Sequence, residues 1–315
     1  MTYHPNEPKK IILTGGSGFL GSHLLKNKLF EKALVIGRSQ PKNHKHYQEV
    51  SFLEEENLSK ILSGVEVIVH AAAKAHEMGE KNKSSLELYR KINTESTIAL
   101  ARQAALAGVK RFIFISTIKV LGEGNNSHSF FKYDDALNPQ DSYSISKAEA
   151  EEGLKLISKS SKMEIVIIRP PLIYGKGVKG NFRSLLKLVR MKFPLPLGNI
   201  KNRRSLVSVD NLIDLIVTCI NHPNAKNQTF LVSDDNDLST TELLSMLAEA
   251  GGFKAFLFHF PDALLYFLLK LFGKLSIYNR LYGSMCIDIE HTKSKLGWYP
   301  PFGVKESLKD CWTDD

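Results

Sequence analysis

The chain has 315 residues, 43% of them hydrophobic and 24% charged, which is the balance of an ordinary globular enzyme and excludes a disordered or fibrous chain. Its length exceeds what one hydrophobic core usually organises, so two closely joined lobes are expected. A net charge of +9 spread along the sequence argues against nucleic-acid binding, yet it suits an anionic cofactor, a diphosphate-linked substrate and loose contact with an anionic membrane.

The opening segment MTYHPNEPKK lacks the apolar core of a signal peptide, and no apolar run reaches the length of a membrane span. A cytoplasmic location without an integral membrane segment is expected. Short apolar runs at 11–13, 33–36, 65–70, 111–116 and 165–169 read as strands. Unbroken apolar runs are what a parallel sheet covered by helices on both faces requires. Between them, residues 85–107 repeat apolar positions at helical spacing and stop before Gly108. Residues 143–157 form a second helical pattern, with Asp141 or Ser142 as its N-cap.

This rhythm predicts an α/β fold: a Rossmann-type doubly wound parallel sheet over 1–170, followed by a smaller mixed C-terminal substrate-binding lobe over 171–315, some of whose segments return to the first domain. In that lobe the most apolar stretch, 263–272, is interrupted by Lys270 and is about half a membrane span. It reads as a buried or interfacial helix. Cys219, Cys286 and Cys311 are far apart and form no CxxC, so free, mostly buried thiols and no metal site are expected.

The first strand runs into Thr14-Gly15-Gly16-Ser17-Gly18-Phe19-Leu20-Gly21 at the opening of a helix. Gly16, Gly18 and Gly21 fit GxGxxG, and Gly15, Gly18 and Gly21 fit GxxGxxG. Either way the glycines permit a tight turn, close approach of a pyrophosphate and close packing of the helix, whose N-terminus supplies N–H groups to the phosphates. An acidic residue normally holds the adenosine ribose of NAD at the end of the second strand. Arg38 stands there instead, which favours the 2′-phosphate of NADP(H) over NAD(H).

Tyr143 and Lys147 lie four residues apart, on one face of one helix. A phenol with a pKa near 10 exchanges protons poorly at neutrality, and a nearby cation lowers it. The strand 111–116 ends in the hydroxyls Ser116 and Thr117, at the edge where an open parallel sheet binds ligands.

Together with His70-Ala71-Ala72-Ala73, Asn93, Arg169-Pro170-Pro171-Leu-Ile-Tyr-Gly175 and Leu296-Gly-Trp298, these segments resemble the extended short-chain dehydrogenase/reductases, specifically the NAD(P)-dependent nucleotide-sugar epimerase/dehydratase family. The resemblance implies Thr117 as hydroxyl partner, Tyr143 as acid/base and Lys147 as its activator. It implies cofactor contacts from the glycine turn, Ala71 to Ala73, Asn93, Ser116 and Pro170. Contacts to a UDP-sugar are implied for Lys119, Asn181, Phe182, Leu197 and Arg204, and a homodimer is expected.

Sugar 4,6-dehydratases of this family follow the threonine with Asp-Glu; here Ile118 and Lys119 follow, so dehydration is not expected. The variant resembles a subgroup of bacterial surface-polysaccharide enzymes often labelled UDP-glucose 4-epimerase, some of which reduce a 4-ketosugar. The expected activity is therefore a 4-ketosugar reductase, with a 4-epimerase retaining NAD as the alternative and a non-catalytic NAD(P)-binding sensor as the remote one.

Overall fold

Parallel strands supply the frame of the molecule, whose computed structural model describes residues 9–53, 58–74, 83–125 and 129–313. In chain order come β1 (Ile11–Thr14), α1 (Phe19–Leu24), β2 (Leu34–Gly37), β3 (Tyr47–Glu49), α2 (Leu58–Leu62), β4 (Val67–His70) and α3 (Lys83–Tyr89). A π-helical turn, Arg90–Glu95, leads into α4 (Ser96–Leu106), β5 (Arg111–Ile115), α5 (Ser142–Ser160) and β6 (Glu164–Arg169). The remainder holds β7 (Leu172–Tyr174), α6 (Gly180–Arg190), β8 (Leu206–Ser208), α7 (Val209–Asn221) and β9 (Thr229–Leu231). Five helices close the chain: α8 (Thr240–Ala250), α9 (Asp262–Leu271), α10 (Leu275–Tyr282), α11 (Glu290–Leu296) and α12 (Val304–Asp310).

Contacts divide the chain into two units, each spanning its described residues within the ranges that follow. One takes Met1–Val120, Leu137–Arg169 and Ile216–Phe230; the other takes Leu121–Ala136, Pro170–Leu215 and Leu231–Asp315.

The first unit is built on a seven-stranded sheet of order β3-β2-β1-β4-β5-β6-β9. Every register from β3 through β6 is parallel. The order reverses between β1 and β4, which is the switch point of a doubly wound sheet and its ligand crevice. β1, β4 and β5 are buried along their whole length, matching their unbroken apolar runs. On one face Ile12, Ile68 and Phe112 pack with Leu58 of α2, Leu100 of α4 and Leu154 of α5, all fully buried. Each such burial contributes about 1.5–3 kcal/mol.

Residues 83–106 are helical as the spacing predicts, but the π turn widens the helix at Asn93 and Thr94. α5 is three residues longer at its C-terminus than the sequence pattern. Asp141 is its N-cap, accepting from Ser144 N at 2.7 Å while the Asp141 N–H donates to Ser144 Oγ at 3.1 Å.

In the second unit β7 and β8 form a parallel pair. Asp234 ties it to α7 by accepting from Tyr174 OH at 2.7 Å, Ser208 N at 2.9 Å and Asn211 Nδ2 at 2.7 Å. Gly297 ends α11 in the left-handed conformation at φ 61°, and the adjacent Trp298 donates to Asp214 at 2.7 Å. All three cysteines are free and buried. The expected helix at 263–272 is present as α9, but none of its residues is buried. Among the described residues no helix is long and apolar enough to cross a membrane.

Candidate active site

The turn after β1 decides between the two glycine patterns. Gly15 has φ +73°, and a Cβ there would meet Ala72 N at 2.6 Å and Ala71 C at 2.7 Å. That is backbone, which has no room to give. A Cβ on Gly21 would collide with the Gly15 carbonyl. The nearest atoms to a Cβ on Gly16 belong to the Val35 and Pro41 side chains. The geometry therefore belongs to Gly15, Gly18 and Gly21. The Gly18 N–H donates to Gly15 O at 2.9 Å and closes the turn, and Gly18 is the N-cap of α1. The first-turn N–H groups of α1, from Phe19 and Leu20 on, lack intrahelical acceptors by construction and suit a pyrophosphate.

A cleft of about 540 Å³ opens at the switch point, lined by Gly15 to Gly18, Gly37 to Ser39 and His70 to Ala73. The sequence-predicted Arg38 is exposed in it, beside the end of β3, where Glu49 pairs in register with Gly37. A dinucleotide fits these residues: a glycine turn that side chains would fill, helix N–H groups, and an open crevice at the strand ends.

Beneath the cleft runs a buried relay that sequence reasoning missed. The Ala72 N–H donates to Thr14 Oγ1 at 3.1 Å, and Thr14 Oγ1 lies 2.8 Å from His70 Nδ1. His70 Nε2 lies 2.9 Å from Thr97 Oγ1, which donates to the Asn93 carbonyl at 2.6 Å. With Thr97 committed as a donor, His70 donates from Nε2 and accepts at Nδ1. Burial, with Lys147 nearby, pushes the imidazole down to about 3, so it stays neutral. The only local signal was a polar residue at each buried strand or helix position.

Asn93, expected at the cofactor, is buried in the π turn. Its Oδ1 accepts from Lys74 N at 2.8 Å and its Nδ2 donates to Ser146 Oγ at 3.0 Å. Ser116, also expected there, donates to Glu151 Oε1 at 2.5 Å. Glu151 in turn forms a buried ion pair with Arg169 at 2.6 Å. A buried pair of this kind is costly to break, because the surviving charge has no solvent. It locks α5 against the ends of β5 and β6. Glu151 sits one turn beyond Lys147, so the helical spacing already marked it. Pro170 directly follows β6.

Tyr143 lies in the first turn of α5, partly buried, its ring edge-on to Tyr89 at 6.3 Å. Lys147 is almost wholly buried, with its ammonium 3.9 Å from the Phe114 ring centroid of β5. Burial pushes Lys147 down to about 7, although Glu151 pulls upward. Burial, then Asp141 and Tyr89, pushes Tyr143 up to about 12. The expected lowering of the phenol by Lys147 does not figure among these causes. Burial is the largest cause at both groups, and it favours the neutral phenol and the neutral amine. Thr117 lies two residues past the end of β5, and its Oγ1 accepts from Lys119 N at 3.3 Å. The Lys119 ammonium pairs with the N-cap Asp141 at 2.9 Å.

In the second unit, the Arg204 guanidinium donates to Gly283 O at 2.7 Å and to Asn279 O at 3.5 Å, and burial lowers its pKa. Asn181 is exposed, its Oδ1 accepting from Arg280 at 3.3 Å. Phe182 is fully buried at the start of α6 and stacked on Tyr174 at 5.3 Å. Leu197 is buried too, and its carbonyl accepts from Thr241 Oγ1 at 2.7 Å. A separate cavity of about 470 Å³ is lined by Gly198, Asn202, Arg203 and Glu242.

A family profile described as "NAD dependent epimerase/dehydratase family" matches residues 11–233. A Vibrio cholerae protein named UDP-glucose 4-epimerase is 45% identical over 309 residues, covering 96% of this chain and 94% of that protein. An Escherichia coli O157:H7 protein named N-acetyl-alpha-D-glucosaminyl-diphospho-ditrans,octacis-undecaprenol 4-epimerase is 26% identical, covering 80% of this chain and 75% of that protein. Among solved structures, a Thermotoga maritima UDP-glucose 4-epimerase with UDP-glucose aligns at TM-score 0.74 and 22% identity, covering 95% of this chain and 96% of that one. A Bacillus cereus UDP-glucuronic acid 4-epimerase in complex with NAD aligns at TM-score 0.74 and 22% identity, covering 96% and 97%. At such identities the structural likeness speaks for the fold.

Proposed function

The chain belongs to the NAD dependent epimerase/dehydratase family, and within it we propose that it inverts the configuration at C4 of a UDP-linked hexose with NAD retained. The observation that carries this reading is the 45% identity, over nearly the whole chain, to a protein named UDP-glucose 4-epimerase. Retention of Thr117, Tyr143 and Lys147 supports it, and Ile118 and Lys119 in place of an acid and base argue against dehydration.

Gly15 to Gly21 would hold the cofactor pyrophosphate, and Ala71 to Ala73 and Asn93 would flank the dinucleotide. NAD supplies a hydride acceptor and donor for C4. Tyr143 takes the O4 proton as the alcohol is oxidised and returns it as the alcohol re-forms. Lys147 binds ribose hydroxyls and, in its protonated form, offsets the charge on the phenolate, and Thr117 shares a hydrogen bond with O4. Lys119 would contact the sugar, while Asn181, Phe182, Leu197 and Arg204 would serve the diphosphate and nucleotide. A homodimer is part of this reading.

Arg38 in the cleft supports a second reading, an NADP(H)-dependent 4-ketosugar reductase. Purified protein given UDP-glucose or UDP-N-acetylglucosamine without added cofactor is expected to form the C4 epimer and to release NAD on denaturation. NADPH consumption by a UDP-4-keto-6-deoxysugar, with no epimer formed, overturns the epimerase in favour of the reductase.

A further inference from the structure

The second unit carries an apolar surface that C4 chemistry does not use. Neither α9 nor α10 contains a buried residue. Of the eighteen exposed large hydrophobic residues found among the described residues, nine fall between Phe256 and Ile277. On α9, Leu264, Phe267, Leu268 and Leu271 recur at the i, i+3, i+4, i+7 spacing of one helix face, and Phe272 follows; they are 36% to 70% exposed. A contiguous stripe of this kind marks an interaction site.

The hairpin keeps its shape without those side chains. Tyr278 meets Tyr266 edge-on at 5.2 Å and stacks on Tyr282 at 4.3 Å, and Tyr282 OH donates to Asp262 at 3.0 Å. Its far end is pinned where Thr240 donates to Leu281 O at 2.6 Å and Asn202 to Gly283 O at 2.8 Å. The leucines and phenylalanines are therefore held outward on a supported element.

Charge identifies what covers them. Residues 253–284 contain Lys254, Lys270, Lys274 and Arg280 against a single acid, Asp262, which already accepts from Tyr282. The three lysines are exposed. The same segment holds nine phenylalanines and tyrosines, and the whole chain carries +9. Aromatic residues with lysines beside an apolar stripe match the boundary between headgroups and acyl chains, where rings sit at headgroup level and ammonium groups reach the phosphates. Ten residues of α9 span about 15 Å, half a hydrocarbon core, so the helix lies in the plane of the interface.

We propose that the α9–α10 hairpin docks this protein on the surface of an anionic lipid bilayer. The full chain is expected to float with phosphatidylglycerol-rich vesicles, to float far less with pure phosphatidylcholine, and to release as salt rises. Phe267→Asp with Leu271→Asp should lower vesicle binding more than about tenfold while leaving the thermal midpoint and turnover in solution unchanged. Lys270→Gln and Lys274→Gln should each weaken binding on the order of fivefold, on anionic vesicles only. The proposal is overturned if the wild-type chain does not float, or if the double aspartate variant floats equally well. It is also overturned if that variant changes only the oligomeric state, which would make a second copy of the chain the occupant.

Discussion

The Asn93 side-chain amide donates to the Ser146 hydroxyl at 3.0 Å, and so joins the π turn to the helix that carries Tyr143 and Lys147. Ser146 donates onward to the Tyr143 carbonyl at 2.7 Å, and Thr94 donates to the Ser146 carbonyl at 2.8 Å. Two consecutive side chains of the π turn, Asn93 and Thr94, thus both reach Ser146. Asn93→Ala leaves Lys74 N without its acceptor and Ser146 without its donor. Each lost buried bond costs about 1–3 kcal/mol, so thermal unfolding should shift down by several degrees, with cofactor affinity falling as well. An unchanged midpoint would show that the link does not hold the helix.

Tyr143→Phe removes one oxygen and no packing. Turnover should fall about 10²–10⁴-fold while NAD binding stays near wild type. Steady-state rates and a cofactor titration on the same preparation check it; near-normal turnover refutes the assigned acid/base.

Lys147 gives a pH signature. Below pH 7 both folded and unfolded chains carry its proton; between about 7 and 10.5 only the unfolded chain keeps it. Unfolding then takes up a proton, so stability rises with pH by up to about 1.4 kcal/mol per unit from this group. Tyr143 acts oppositely, its contribution being lost between pH 10 and about 12, so the window to use is 7–10. Denaturant unfolding of wild type and Lys147→Met should show the variant's relative advantage largest below pH 7 and shrinking above it. A pH-independent difference would mean that the buried amine is charged throughout.

The two glycine patterns predict different mutants. Gly15→Ala forces a side chain into φ +73° and onto the Ala71–Ala72 backbone, so folding and NAD binding should both suffer. Gly16→Ala meets the Val35 side chain at 2.8 Å, and Val35→Ala should therefore rescue it but not Gly15→Ala. Thermal midpoints of the four variants decide the matter.

On the NADP(H) reading, Arg38→Asp would exchange a 2′-phosphate partner for a diol acceptor. Affinity for NADP(H) should drop about tenfold or more, with NAD(H) spared or improved. Parallel losses for both cofactors would remove Arg38 from the 2′ position.

Local pattern determined much of this protein. Each of β1, β4, β5 and β6 is a run apolar enough to demand burial on both faces, and the glycines after β1 mark a close backbone approach whatever surrounds them. Tyr143, Lys147 and Glu151 share one face because helical spacing alone puts them there. Other features came only from assembly. β3 and β9 are three residues each and exist because β2 and β6 offer them an edge. The π turn at Asn93 arises where the helix meets α5, which no 3.6-residue period reports. The Ser116 hydroxyl is drawn to Glu151 by an ion pair with Arg169, from a strand eighteen residues further on. The shifts of Lys147 and Tyr143 follow from solvent excluded by packing, which helical spacing does not report. Sequence likewise gave α9 its apolar stripe, but periodicity is blind to what lies opposite a helix face; the fold left that stripe facing outward.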